Sequence, residues 1–247
     1  MSQNNPNLQI GRKAQMISSR LSVRYAIVFA LFAGGLVWVA ITNGGAALIL
    51  LWPGLSFLMV AVAYSGIGVA VFGKKPDGSR TAWAIIYLLP YLIFSWLLWA
   101  VRRLISREAC CNEIAPGLWL GRRPYRSELP QGTTCVVDLA CEFNAAKGLT
   151  AQVDYISLPT LDTLPPPFSD LTAMLERVSA HPGTIYVHCA LGHGRSAMFA
   201  AAILLTRGLA QTPAEALRII QNVRPSVRLS CPQQNALGQF AATSSKC

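Results

Sequence analysis

Two different hydrophobic patterns divide this chain near residue 108. Before that point three apolar runs, 25–42, 46–72 and 82–101, follow one another, and none contains Asp, Glu, Lys or Arg. At about 1.5 Å of rise per residue, each is long enough to cross a hydrocarbon layer of about 30 Å. Trp38, Trp52, Trp83, Trp96 and Trp99 fall mostly toward the ends of these runs, where aromatic side chains meet headgroups. A cleavable signal peptide does not fit, because a polar segment precedes the first run and further runs follow it. Beyond the division the pattern shortens and alternates. Thr134–Leu139, Val153–Leu158 and Thr184–Val187 read as strands; Phe168–Ala180 and Ser196–Leu209 read as helices. A further helix starts at Thr212, with Pro213 at its first position. The expected organisation is a basic segment at 1–24, an all-α membrane region at 25–101, a junction at 102–113 and an α/β domain at 114–247.

Charge sharpens the division. Residues 1–108 hold ten Lys and Arg against two acids, whereas residues 109–247 hold eleven against nine. The basic excess therefore belongs to the membrane region, where it reads as a topology determinant and an attraction to anionic lipid. No basic stripe with interleaved aromatics points to nucleic acid. Arg12, Lys13, Arg20 and Arg24 favour a cytoplasmic N-terminus, the uncharged Asn43-Gly44-Gly45 link suits the far side, and Lys74, Lys75 and Arg80 favour a return. Three full spans would then export the α/β domain, yet Arg102, Arg103 and Arg107 favour retention. The conflict disappears if one run does not span or forms a hairpin, with Pro53-Gly54 and Pro90 as possible breaks. A cell (inner) membrane location with the α/β domain in the reducing cytoplasm is expected, since seven cysteines, an odd count, do not suggest a disulfide scaffold.

The chemistry concentrates in Ile185-Tyr186-Val187-His188-Cys189-Ala190-Leu191-Gly192-His193-Gly194-Arg195-Ser196. A cysteine here lies six residues before an arginine, between an apolar strand and an apolar helix. The helix N-terminus lets the amides of Ala190, Leu191, Gly192, His193, Gly194 and Arg195 converge on a phosphoryl group and favours Cys189 as the thiolate. Gly192 and Gly194 permit tight backbone geometry. Arg195 supplies a planar fork for two phosphoryl oxygens, and Ser196 a donor to the sulfur. Expelling an alkoxide also needs an acid. Asp162, in the proline-rich stretch Leu158–Pro167 between a strand and a helix, is the candidate. Asp170 is a weaker competitor in the first turn of the next helix, and Asp138 and Asp154 read as structural.

His188-Cys189-x-x-Gly192-x-x-Arg195-Ser196 resembles the signature of the cysteine-dependent phosphatases of the dual-specificity branch. The blocks Ile114–Gly121, Thr134–Leu139 followed by Cys141-Glu142-Phe143, Val223–Val227 and Gln234–Leu237 are similar to that family's segments in order and spacing, over about residues 109–247. The resemblance implies a central mixed sheet of four or five strands flanked by helices on both faces. It also implies phosphomonoester hydrolysis through a phosphocysteine, with Cys189 as nucleophile, Asp162 as acid and then base, and Arg195 and the loop amides as phosphoryl clamp. His188 is then a supporting residue; His193 either touches substrate or is a solvated loop residue.

No cofactor is implied. The three histidines, His181, His188 and His193, do not form a ligand set, so no metal is expected. Cys110-Cys111 is at the membrane boundary, where acylation or two ordinary thiols are both open. Membrane attachment raises a phosphorylated lipid above a phosphoprotein as substrate, and Pro159–Asp162 with Arg224–Val227 is similar to a lipid phosphatase subgroup acting on phosphatidylglycerophosphate. The apolar Ala190 and Leu191 lack the loop lysines of relatives acting on polyphosphorylated inositol lipids. A membrane-tethered protein tyrosine or dual-specificity phosphatase, an inactive phosphate-binding module and a rhodanese-like sulfur transferase remain alternatives.

Overall fold

The computed structural model describes residues 6–244, with side chains described from 20 to 243. Residues 1–5 of the basic segment and 245–247 of the α/β domain lie outside the described residues.

Helix α1 (Pro6–Asn43) turns back at Gly44 and Gly45, both at positive φ, into a 310 turn, Gly45–Leu50, and helix α2 (Leu51–Val62). The two helices run antiparallel: Phe29 packs on Phe57 and Tyr64, and Gly54 lies under Val37 and Ala33, so close that a methyl there would press on Val37. The run expected at 46–72 is not one straight helix. It bends at Ala63–Ile67, where Gly66 has φ of 131°, and again at Gly68 with φ of 78°. Pro53 does not cause the break, because the chain continues through it as helix α2 and bends only at Ala63–Ile67. Helix α3 (Ala82–Ile105) likewise continues through Pro90. Arg20–Asn43, Gly45–Phe72 and Ala82–Ile105 are each long and apolar enough to cross a membrane.

The second half contains strands β1 (Cys111–Ala115), β2 (Leu118–Arg122), β3 (Thr133–Ala140), β4 (Asp154–Thr160) and β5 (Thr184–Cys189) in one sheet of order β1-β2-β5-β3-β4. β1 and β2 form an antiparallel hairpin about Gly117, and all other pairings are parallel. The block Ile114–Gly121 is split between two strands, because Gly117 at φ of 72° reverses the chain.

Strand alternation decides what lies on each face. Ile185, Val187 and Cys189 of β5 and Cys135, Val137 and Leu139 of β3 join one apolar cluster with helices α4 (Phe168–Ser179), α5 (Arg195–Thr206), α6 (Pro213–Val223) and α7 (Cys231–Ser244). α5 is buried along almost its whole length. The intervening Val136 and Tyr186 face the other way, toward Leu129, Ala146, Leu149, Val153 and Tyr155. These helices therefore share one face, and segments 124–132 and 141–153 cover much of the other. Both segments are short and turn-rich, with glycine at 132 and 148 at positive φ.

The two halves are joined by more than the junction. Loop 73–81, between the second and third apolar runs, inserts Lys74 against Asp138 at 2.7 Å and Arg80 against the Cys141 carbonyl at 2.9 Å, and Gly78 accepts from the Ala145 amide at 2.9 Å. Trp96 and Trp99 of α3 donate to the Glu142 and Ala190 carbonyls at 3.0 and 3.1 Å.

Candidate active site

Parallel strands β3, β4 and β5 end together, and α5 begins where β5 stops, so the open end of the sheet faces a helix N-terminus. Cys189 is the last residue of β5, almost fully buried at the floor of the intervening loop. Its Sγ lies 3.2 Å from Ser196 Oγ and accepts from the Gly192 amide at 3.3 Å.

The loop's carbonyls explain where its amides point. Ala190 O accepts from the Arg123 amide and Trp99 Nε1, Leu191 O from Arg224 Nη2, and Gly192 O from Arg224 Nε. A planar trans peptide sets its C=O opposite the next N–H, so three carbonyls engaged on the outside turn the amides of Leu191, Gly192 and His193 inward. Arg224 is nearly buried and also bonds Ala109 O and Asn112 Oδ1, which makes it the brace behind the loop. Gly192, at φ of 79°, lies against the Gly121 and Arg122 backbone, where a methyl group would collide.

Arg195 opens α5 with its guanidinium buried. Nη1 and Nη2 donate to the two Glu142 oxygens at 2.8 and 2.6 Å, and Nη1 also donates to Thr160 O at 2.9 Å. Nε, also buried, has no hydrogen bond, although Asp162 Oδ1 approaches to 3.3 Å. Burial alone would raise the Glu142 carboxyl, but the adjacent Arg195 charge prevails and holds it below the usual carboxylate range. Asp162 itself is exposed. Its loop is fixed on both sides: Tyr64 OH donates to the Asp162 carbonyl at 3.2 Å, and Ser230 Oγ to the Thr163 carbonyl at 2.5 Å. Thr163 holds φ of 65°, the one left-handed non-glycine among the described residues.

Behind Cys189 lies a second buried charge system. Asp138 accepts from Lys74 Nζ at 2.7 Å, Tyr155 OH at 2.5 Å and the Ala140 amide at 2.8 Å. Burial would raise this carboxyl; Lys74 and His188 overcome that and depress it strongly. His188 bonds the Cys189 carbonyl through Nδ1 at 3.2 Å and stands 3.8 Å from Asp138. Burial lowers its imidazole, with Asp138 opposing. His193 pairs instead with Glu108, Nε2 to Oε2 at 2.6 Å.

A cavity of about 490 Å³ opens above Cys189 and Arg195. Tyr25 and Phe29 of α1, Tyr64, and Tyr91, Phe94 and Leu98 of α3 line it, so the apolar N-terminal helices form its walls. Arg102 and Arg228, both exposed, also line it.

Of the residues anticipated from sequence, Cys189, Ser196, Gly192 and Arg195 meet at one point with Asp162 beside them, and His188 lies behind the loop. Asp170 stays in the first turn of α4, with its carboxylate accepting from Ser169. Lys74, Trp96, Trp99 and the bracing role of Arg224 had no local signal. Cys135, Asp154 and His181 approach one another at the opposite end of the sheet, but Asp154 already pairs with Arg177 at 2.8 Å and His181 Nδ1 accepts from Gly183. Cys110 and Cys111 are free, half-buried thiols.

Residues 124–243 match the family described as dual specificity phosphatase, catalytic domain. This segment is a dual-specificity phosphatase domain. The phosphatase domain also resembles solved structures in fold. Human DUSP28 matches with a TM-score of 0.50 at 18% identity, covering 56% of this chain and 97% of that one. PTPMT1 in complex with PI(5)P matches with a TM-score of 0.49 at 22% identity, over 56% of this chain and 99% of that one. No curated protein matches the chain in sequence. The chain is thus a cysteine-dependent phosphatase that hydrolyses phosphomonoesters.

Proposed function

We propose that this phosphatase is anchored in the membrane by its N-terminal region and acts on a phosphorylated lipid. Cys189 Sγ attacks phosphorus, forming the S–P bond while the P–O ester bond breaks, and the Asp162 proton passes to the leaving oxygen. Water then attacks phosphorus with Asp162 taking its proton, and the S–P bond breaks to release inorganic phosphate. Arg195, oriented by Glu142, and the inward amides of the loop stabilise the charge on the transferring group. Ser196 donates to the departing sulfur.

The cavity wall carries the lipid reading. A phosphomonoester seated over Cys189 has its remaining bulk directed along Tyr25, Phe29, Phe94 and Leu98, side chains of helices whose outer faces are themselves apolar. Arg102 and Arg228 at the same cavity suit a further headgroup charge, such as the phosphodiester of phosphatidylglycerophosphate.

The test is phosphate release by the detergent-purified full-length chain, with Cys189→Ser as blank. Phosphatidylglycerophosphate in mixed micelles is expected to exceed a phosphotyrosine peptide in kcat/KM. Preference for the peptide would make this a tethered protein phosphatase. Asp162→Asn should slow turnover by about 10²- to 10⁴-fold, most severely for poor alkoxide leaving groups; an unchanged rate on alkyl phosphates would remove Asp162 from the acid role.

A further inference from the structure

The apolar helix α3 is attached to the phosphatase domain at both ends. Before its first residue, loop 73–81 is held by Lys74 to Asp138, by Arg80 to the Cys141 carbonyl, and by the Gly78 carbonyl to the Ala145 amide. Near its last turn, Trp99 bonds Ala190 at 3.1 Å and Arg103 pairs with Glu128. In between, Trp96 bonds the Glu142 carbonyl at 3.0 Å. A helix of 24 residues is about 36 Å long, so one that crossed a bilayer would carry one end about 30 Å away from a domain on the other end's side. α3 does the opposite and lies along the domain.

The hairpin of α1 and α2 is arranged differently. Its open end touches the phosphatase domain, where Ser22 bonds the Tyr64 carbonyl and Tyr64 OH bonds that of Asp162. Its closed end, Asn43-Gly44-Gly45, lies 21 residues further along the continuous helix from Ser22, about 30 Å away. The outside of the hairpin is apolar, with Val28, Leu31, Trp38, Ile41 and Ile49 exposed.

We propose that only this hairpin crosses the membrane and that α3 lies in the near headgroup layer, with the phosphatase domain on the same side as the N-terminus. The outward side of α3 fits that placement. Trp83, Ile86, Ile93, Leu97 and Leu104 recur at helical spacing and are all more than half exposed, while Ala84, Leu88, Leu92 and Trp99 on the other side are buried. Charge fits it independently. With the chain folded this way, all ten Lys and Arg of residues 1–108 fall on one side, and the tip that crosses carries none. That distribution marks the side as cytoplasmic. The conflict raised by three spans is thereby removed.

The test uses full-length chain in sealed right-side-out vesicles, an impermeant maleimide, and mass-resolved peptides to separate the native cysteines. Lys75→Cys and Arg107→Cys report the two ends of α3, and Asn43→Cys reports the hairpin tip; each variant is first shown to retain phosphate release. The expected result is labelling of position 43 from outside and of 75 and 107 only after permeabilisation. Labelling of 75 and 107 from opposite sides, or of 43 from the same side as both, overturns the proposal.

Discussion

Most of the hydrogen-bonding capacity of Arg195 is occupied by protein before a substrate arrives. Glu142 and Thr160 take both N–H groups of Nη1 and one of Nη2, which leaves the buried Nε–H and the second Nη2–H for a ligand. Glu142 therefore fixes the plane of the guanidinium, and with it the plane in which the proposed clamp would meet a phosphoryl group. Glu142→Gln replaces a charged bidentate pair with a neutral one, and kcat/KM is expected to fall by about 10- to 100-fold. Glu142→Ala strands a buried guanidinium and should lower unfolding stability by about 3–5 kcal/mol, read from urea denaturation. The pH dependence has a defined sign. Glu142 and Asp138 are both depressed in the folded chain, so their stabilisation is complete above the ordinary carboxylate range and is lost as pH falls through the lower folded values. Their contribution should stay level from neutral pH down to the ordinary carboxylate range and decline below it. Glu142→Gln should make the acid limb of the urea-midpoint profile less steep; an unchanged limb would show that the pair does not contribute. Gly192→Ala tests the loop backbone, where positive φ and the neighbouring Gly121 peptide leave no room for a methyl. Inhibition by inorganic phosphate should be lost together with turnover.

At the scale of elements, loop 73–81 is a plug in the phosphatase domain, and Lys74 is its deepest charge. Lys74→Met should destabilise the chain by about 3–5 kcal/mol by removing the lysine counter-charge of the buried Asp138. A double change, Lys74→Met with Asp138→Leu, should recover part of that loss in a denaturation cycle. The same loop shows where sequence reading reached its limit. The meeting of Cys189, Gly192, Arg195 and Ser196 was legible because contiguous residues of one strand–loop–helix unit must lie together. Asp162 was legible because its proline-rich loop lies between a recognisable strand and helix. Lys74 and Trp99 lie 115 and 90 residues before Cys189, within or beside apolar runs, and only tertiary folding brings them to the phosphate loop. The bend at Gly66 and Gly68 escaped notice for a related reason. Uniformly apolar composition carries no periodicity to interrupt, and the chain bends at glycines while helix runs on through Pro53 and Pro90.

At the scale of the whole molecule, the apolar N-terminal helices are part of the candidate site and not an appendage to it. Cys141 and Leu161 share an apolar cluster with Val60, Tyr64, Phe72, Leu88 and Leu92, and Ala140 and Phe143 cluster with Trp99. Deleting residues 1–105 should therefore expose an apolar face around the phosphate loop and yield a domain with lost activity and a strong tendency to aggregate, measurable by phosphate release and light scattering. A monodisperse, fully active fragment would make the contacts dispensable. The walls contributed by α1 and α3 also change what concentration means for this enzyme. The proposed lipid substrate, reaching Cys189 along them, would arrive from a two-dimensional solution, so velocity should follow its mole fraction in the bilayer. Adding inert lipid at constant bulk substrate should slow the reaction by surface dilution, whereas adding more vesicles of unchanged composition should leave the half-saturating mole fraction where it was.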